Sequence, residues 1–327
     1  MESENFSYQS RIDLTELKSS ADRIRQEIKK IIVGQEVAID LILTAILADG
    51  HLLIEGVPGV AKTVLAKLTA KAISAPFSRI QFTPDLMPSD VIGTSVFNEK
   101  IVDFEFKKGP IFANIVLIDE INRAPAKTQA ALFEVMAERQ ITVDGQTRKF
   151  AKPFTVLATQ NPIEQEGTYR LPEAQLDRFL FKIDIGYPSL EEEINIIKNH
   201  NLLKNSDETA QINPVISAEE IVKYQELAGQ IHAEDSLAEY IAKIVVATRT
   251  NANLYLGASP RASIAILNAS KAYAALQGKD FITPDDVKFI APYVLKHRII
   301  LTPEREMEGL TPMMVVKQIV EGIEVPR

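Results

Sequence analysis

The 327 residues, 46% hydrophobic and 24% charged, suffice for one large domain or two and for a full hydrophobic core. A formal net charge of -8 and a pI near 5.3 weigh against the broad basic face of a duplex-binding protein. The absence of cysteine excludes disulfides, thiolate zinc sites and cysteine nucleophiles, and fits a reducing compartment.

The first residues, Met1-Glu2-Ser3-Glu4-Asn5-Phe6, carry neither a basic region nor an apolar h-region. No apolar run reaches the roughly 18 residues of a membrane span, so the chain reads as cytoplasmic. Leu17 to Ile32 and Val37 to Leu47 repeat apolar residues at helical spacing, joined by Val33-Gly34-Gln35. An apolar strand from Leu52 then runs into Gly56-Val57-Pro58-Gly59-Val60-Ala61-Lys62-Thr63, which opens a helix from about Lys62 to Ser74 with Val64, Leu65, Leu68 and Ala72 on one face. The spacing is that of a P-loop, except that Ala61 stands where a second glycine is usual. Alanine allows the same close approach to a phosphate only if its φ stays negative. Backbone N–H groups from Gly56 to Val64 and the helix N-terminus would face the anion. Lys62 would reach the β/γ-phosphates and Thr63 would ligate Mg²⁺. The competing reading is a plain strand-to-helix turn followed by Lys-Thr.

A short strand follows at Phe77 to Phe82, then a hairpin with arms Thr94 to Phe97 and Ile101 to Phe106 around Asn98-Glu99-Lys100. Asn114 to Ile118 is a continuous apolar run, as for a strand buried on both faces, and it delivers Asp119 and Glu120 at its end. Asp119 would hold Mg²⁺ through water, and Glu120 would orient and polarise the water that attacks a γ-phosphate. Alone, the pair is equally an exposed acidic strand end. Pro125 to Arg139 reads as helix, and a second hairpin, Ile141 to Val143 and Thr147 to Phe150, has Asp144-Gly145 at a type I′ tip. Phe154 to Ala158 is another buried strand, ending in Thr159-Gln160-Asn161-Pro162. Asn161 would contact the γ-phosphate or the water if this strand neighbours the acidic one; otherwise Asn-Pro is an ordinary turn. This alternation implies a parallel sheet wound with helices.

From Pro188 only helices are expected. Ser189 with Glu192 forms a capping box for a helix ending near Asn201, followed by Ala218 to Ile231 and Leu237 to Thr248. Ser259, Pro260 and Gly278 bracket a long helix, and Thr283-Pro284 opens another. The division is therefore 1–187, an α/β nucleotide-binding core, and 188–327, a helical lid, with Asp184 to Ser189 as linker and a nucleotide between them. His51, His200, His232 and His297 are too isolated to pair as metal ligands, and read as core or surface residues.

The order of P-loop, Asp-Glu strand, Asn strand and helical lid resembles an AAA+ ATPase. The segments at 56–63, 119–124 (Asp-Glu-Ile-Asn-Arg-Ala), 158–162, 171–179 (Leu-Pro-Glu-Ala-Gln-Leu-Asp-Arg-Phe) and 257–261 (Gly-Ala-Ser-Pro-Arg) are similar to those of the MoxR family. The resemblance, which extends to His297-Arg298-Ile299 and Val325-Pro326-Arg327, makes Ala61 a family feature. It implies that Arg178 is an arginine finger acting on the ATP of a neighbouring subunit, and that Arg261 is the second sensor. Both suit a guanidinium's fixed charge and planar donors. The alternatives are a salt bridge of Arg178 with Asp177 or Glu173, and a solvated Arg261.

The resemblance further implies that Val33 and Gly34, with Gln35, touch adenine, although a simple helix-to-helix turn fits as well. Both hairpins look like inserts that line a central pore, unless they only cover the sheet edge. The implied activity is Mg²⁺-dependent ATP hydrolysis driving chaperone-like remodelling of a client or adaptor protein, with a von Willebrand A domain among the candidates. The implied assembly is a homo-oligomeric ring, a hexamer. Two other readings stand beside it: a nucleic-acid-stimulated translocase, disfavoured by the acidic charge, and a nucleotide-gated scaffold with little turnover.

Overall fold

The computed structural model describes residues 12–100, 102–162, 169, 171–203 and 208–326. Helices α1 (Thr15–Lys29) and α2 (Glu36–Leu47) precede β1 (Leu52–Gly56), α3 (Lys62–Ala72) and β2 (Phe77–Gln81). A short helix, α4 (Pro88–Ile92), leads into the hairpin β3 (Gly93–Asn98) and β4 (Asp103–Lys108), then β5 (Ile115–Asp119) and α5 (Ala126–Glu138). The second hairpin, β6 (Gln140–Val143) and β7 (Gln146–Lys149), precedes β8 (Thr155–Gln160), α6 (Glu173–Leu176) and β9 (Phe181–Ile185). The remainder comprises α7 (Leu190–Leu203), α8 (Ala218–Gly229), α9 (Asp235–Thr250), β10 (Leu254–Leu256), α10 (Pro260–Leu276), α11 (Pro284–Leu295), β11 (Ile300–Leu301), α12 (Pro303–Met307) and α13 (Pro312–Gly322). No helix among the described residues is long and apolar enough to cross a membrane.

Five strands form one parallel sheet in the order β2-β5-β8-β1-β9. Successive side chains of a strand point to opposite faces. Leu52 and Ile54 accordingly join one buried core with Ile115, Leu117 and Leu157, while Leu53 joins the other with Val116, Ile118, Val156 and Ala158. Apolar residues on both faces are what helix-covered parallel strands require. The protein is thus α/β, a parallel sheet flanked by helices and followed by a helical lid.

Three expectations need correction. Asp184 and Ile185, read as linker, are the end of β9, which pairs with β1 along its whole length. The lid is not purely helical, since β10 and β11 form a short antiparallel pair. The first arm of the first hairpin is longer than expected, Gly93–Asn98, and the second is shifted to Asp103–Lys108, so that pairing runs from Gly93 with Lys108 to Asn98 with Asp103, and in the turn Asn98 Oδ1 accepts from Lys100 N at 3.0 Å. Ile101, placed in the second arm from sequence, lies outside the described residues. At the second tip Asp144 (φ 51°) and Gly145 (φ 73°) are both left-handed, as a type I′ turn demands. The two hairpins touch: Ser95 Oγ donates to Asp144 Oδ2, and the Arg148 guanidinium lies 4.1 Å from the Phe106 ring centre.

The N-terminal helices pack on the lid. Gln225 Nε2 of α8 donates to Ile46 O of α2 at 2.7 Å, and the Ser20 and Tyr224 hydroxyls are 3.2 Å apart. One continuous core accordingly joins Leu17 and Ile42 with Tyr224, Ala269 and Leu276.

Candidate functional site

The parallel register ends β1, β5 and β8 on one edge of the sheet. Glu55 of β1 lies opposite Gln160 of β8, and Ile118 of β5 lies opposite Ala158. The loop after Gly56, the acids Asp119 and Glu120, and buried Asn161 are therefore neighbours. Because β8 sits between the strands that carry the loop and the acids, the adjacency required for Asn161 is met.

The loop from Gly56 to Lys62 is anchored at its root, where a side chain at Gly56 would meet Ile185 O of β9. Val57 is half-buried, Pro58 and Gly59 form the exposed tip, and Val60 is buried. Gly59 has a φ of +86° and nothing within 4 Å of where a Cβ would stand, leaving an open cradle. Ala61 does not meet the condition of a negative φ: it is left-handed, at φ 60° and ψ 21°, as the N-cap of α3. An L-residue there costs roughly 1–2 kcal/mol, so the loop conformation is imposed by its surroundings. Lys62 folds over the loop and donates to Gly56 O and, at 3.3 Å, to Val57 O.

The acids are held by more groups than the sequence suggested. Thr63 Oγ1 donates to Asp119 Oδ2 at 3.4 Å, and Arg79 Nε donates to the same oxygen at 2.6 Å. Thr159 Oγ1 donates to Asp119 Oδ1 at 3.0 Å and accepts from Glu120 N at 3.1 Å. Glu120 is itself left-handed (φ 57°), and its Oε2 accepts from Gln81 Nε2 at 2.7 Å and pairs with Arg123 Nη1 at 2.9 Å. Arg79, Gln81, Arg123 and Thr159 were not identified from sequence as site residues. The available signal was weak: Arg79 and Gln81 share one face of β2 by period two, and Thr159 stands within the Thr-Gln-Asn run.

A cavity of about 450 Å³ opens between this edge and the lid, a size suited to a small organic ligand. Val33, Val60, Ala61 and Val64 line it, together with Ile185, Tyr187 and Ile196, and Tyr293 of α11 closes it from the lid. Gln35 Nε2 donates to Val60 O at 3.2 Å, while its Oε1 is buried with no hydrogen-bond partner among the described residues. A buried unpaired acceptor in a cavity wall suits a ligand's amine, and the open cradle at Gly59 suits a phosphate. The residues present thus fit a nucleotide. Gly34 (φ +70°) packs so tightly on Glu192 that any side chain would collide with its carboxylate. The Ser189 backbone N–H and hydroxyl hold that carboxylate below its usual range.

The two arginines have different partners. Exposed Arg178, just after α6, donates through Nη1 to Phe133 O at 2.9 Å. The alternative reading, a salt bridge of Arg178 with Asp177, is not met: Asp177 pairs with Arg298, at 2.7 Å, and lies 3.9 Å from Arg261 Nη1. Arg261, with a side chain 78% exposed, stands at the first turn of α10. Of the histidines, His51 and His297 are core residues and His232 pairs with Glu234; the side chain of His200 lies outside the described residues. No cluster able to hold a metal is formed by histidine and acids among the described residues.

Residues 51–181 match the ATPase family associated with various cellular activities (AAA), and residues 246–319 match the AAA lid domain. Fold, loop and lid therefore define an AAA-type ATPase. The chain is 43% identical to Chaperone MoxR1 of Mycobacterium tuberculosis over 92% of its own length and 81% of that protein's. It is 48% identical to the protein YeaC of Bacillus subtilis, over 92% and 93% of the two chains. The crystal structure of a candidate ATPase from Cytophaga hutchinsonii superposes with a TM-score of 0.88 at 40% identity, covering 95% of this chain and 97% of that one. The protein belongs to the MoxR family of AAA+ ATPases.

Proposed function

We propose that this protein binds ATP with Mg²⁺ between a core of residues 1–187 and a lid of residues 188–327, hydrolyses it, and uses the turnover to remodel a partner protein. The observation that carries this is the convergence of Lys62, Thr63, Asp119, Glu120 and Asn161 on one sheet edge beside a cavity suited to a nucleoside. The loop's N–H groups and the start of α3 receive the phosphates, and Lys62 exchanges its loop carbonyls for phosphate oxygens. Val33, Gly34 and Gln35 hold the base. Thr63 and, through water, Asp119 offer the hard oxygen donors that would hold Mg²⁺, which supplies charge neutralisation at the phosphates. Glu120 orients and polarises the attacking water, and Asn161 contacts that water or the γ-phosphate. Gln81 and Arg123 limit the directions in which the Glu120 carboxylate can point.

Arg261 reports on the same nucleotide, while Arg178 is exposed and serves a neighbouring copy. This requires a homo-oligomeric ring, and the family likeness argues for six subunits. A client or adaptor protein, in the manner of a chaperone and possessing a von Willebrand A domain, is the partner this reading favours over nucleic acid. The test is inorganic phosphate release by the purified protein with Mg²⁺-ATP, alongside Glu120→Gln. The variant should retain nucleotide while turnover falls roughly 10²- to 10⁴-fold. Unchanged turnover removes Glu120 from this role, and a wild-type protein that neither retains nucleotide nor releases phosphate overturns the whole reading. Clear stimulation by DNA or RNA at physiological salt would favour a translocase instead.

A further inference from the structure

The segment leaving α11 carries three consecutive side chains with nitrogen heads, Lys296, His297 and Arg298, and all three turn inwards onto the core. The Arg298 side chain is only 4% exposed. Its Nε donates to Asp177 Oδ1 at 2.7 Å, and its Nη2 donates to Asp177 O at 3.0 Å and Phe179 O at 2.7 Å. Nη1 reaches Leu180 O at 3.2 Å. A lid guanidinium therefore captures the carbonyls on both sides of Arg178 and the carboxylate that precedes it. A planar fork with five donors can make such a set of bonds; a lysine cannot.

The same segment also borders the nucleotide cavity. Tyr293 and Asp184 line that cavity, and Lys296 Nζ pairs with Asp184 at 2.6 Å. Asp177 Oδ2 is addressed from the start of α10 as well, by Ser259 Oγ at 3.4 Å and Arg261 at 3.9 Å. One end of α11 and its exit thus join the base-binding side of one subunit to the main chain around Arg178. The Arg178 guanidinium donates through Nη1 to Phe133 O, and its backbone N–H donates to Gln175 O.

We propose that Arg298 is the positioning residue for Arg178: it transmits the lid position set by bound nucleotide to the arginine that acts on a neighbouring copy's phosphates. The inference rests on the reading of Arg178 as acting in trans. ATP bound beside Tyr293 holds the lid where Arg298 clamps residues 177–180, and Arg178 is kept aimed outward. A displacement of about 1 Å in such a group is enough to lower turnover by roughly a hundredfold.

The test uses the full chain. Arg298→Met, similar in length but without donors, should bind a fluorescent ATP analogue within about threefold of wild type while kcat drops at least tenfold, a loss of transition-state stabilisation rather than of ground-state binding. Mixing it with Lys62→Ala subunits should restore hydrolysis, because those subunits present an intact Arg178 to the sound nucleotide site of their neighbour. A lesion confined to the variant's own site would not be restored. The double variant Asp177→Leu/Arg298→Met replaces the buried pair by apolar groups, so it should recover melting temperature but not kcat; should the single variant not fold, the double variant carries the same test. Wild-type kcat in Arg298→Met, recovery of kcat together with melting temperature in the double variant, or no restoration in mixed rings under conditions where Arg178→Ala is restored each overturns the inference alone. A wild-type protein without turnover overturns the ATPase reading and this inference with it.

Discussion

Thr159 has one hydroxyl and two tasks, donating to Asp119 Oδ1 and accepting from Glu120 N. Thr159→Val removes both bonds with little change in volume. The resulting loss of preorganisation should lower kcat by roughly ten- to a hundredfold with little change in KM for ATP, as read from steady-state phosphate release. A purely higher KM would refute a role in orienting the acids. His51 illustrates the opposite case, a polar residue that only holds structure. Its Nε2 stands 3.1 Å from Met136 O and its Nδ1 accepts from Val156 N at 3.0 Å, so the neutral ring is fully bonded. Burial first, then the nearby Arg139 charge, pushes its pKa down to about 3.

The unfolded chain therefore takes up the proton first, near pH 6.5, and stability falls as pH drops from 6.5 towards 3. Between pH 7.5 and 5.5 His51 should account for about 1.4 kcal/mol of that loss. His297, also buried and held well below its usual value, adds to the same acid limb. Urea unfolding at the two pH values should show a smaller loss in His51→Gln, which keeps a donor and an acceptor; an equal loss would remove His51 as the cause. The glycine-containing loop ahead of Lys62 and Thr63 and the strand end that carries Asp119 and Glu120 were legible at this scale because both are local patterns. Arg79, Gln81 and Arg298 were not, because their partners lie 40, 39 and 121 residues away along the chain.

Among the elements, the first hairpin depends on two glycines at its base. Gly93 (φ +105°) and Gly109 stand back to back, and a methyl group on either would run into backbone, Lys107 O or Val91 O. Gly109→Ala should therefore destabilise the hairpin by about 1–3 kcal/mol and hasten proteolytic cleavage within 93–108, while the parallel sheet stays protected. Cleavage at the wild-type rate would show that the base tolerates the shift. Most elements were readable from periodicity and caps: the capping box of Ser189 with Glu192, the Pro260 and Thr283-Pro284 starts and the Asp144-Gly145 turn are all local chemistry. β9 was missed although Phe181-Lys182-Ile183-Asp184-Ile185 alternates, as a half-exposed edge strand does; its partner β1 is over a hundred residues earlier. The three- and two-residue strands β10 and β11 are too short to show a period.

At the scale of the molecule, the proposed ring divides one reaction between two copies. Arg178→Ala should abolish turnover in a uniform ring, and mixing with Lys62→Ala subunits should recover part of it, since the two lesions then fall on opposite sides of one interface. Absence of recovery, measured as phosphate release against mixing ratio, would count against action in trans.

The linear order of residues determined a parallel α/β sheet with a helical lid, the loop from Gly56 to Thr63 and the acidic end of β5, because these are written in short-range spacing and hydrophobic period. Tertiary structure alone decided which groups steady Asp119 and Glu120, that α1 and α2 are fastened to the lid, and that a lid arginine grips the chain around Arg178. Those outcomes depend on strand order and on side chains brought together from distant segments. Such contacts form only when burial of the shared core fixes the helices and strands against one another.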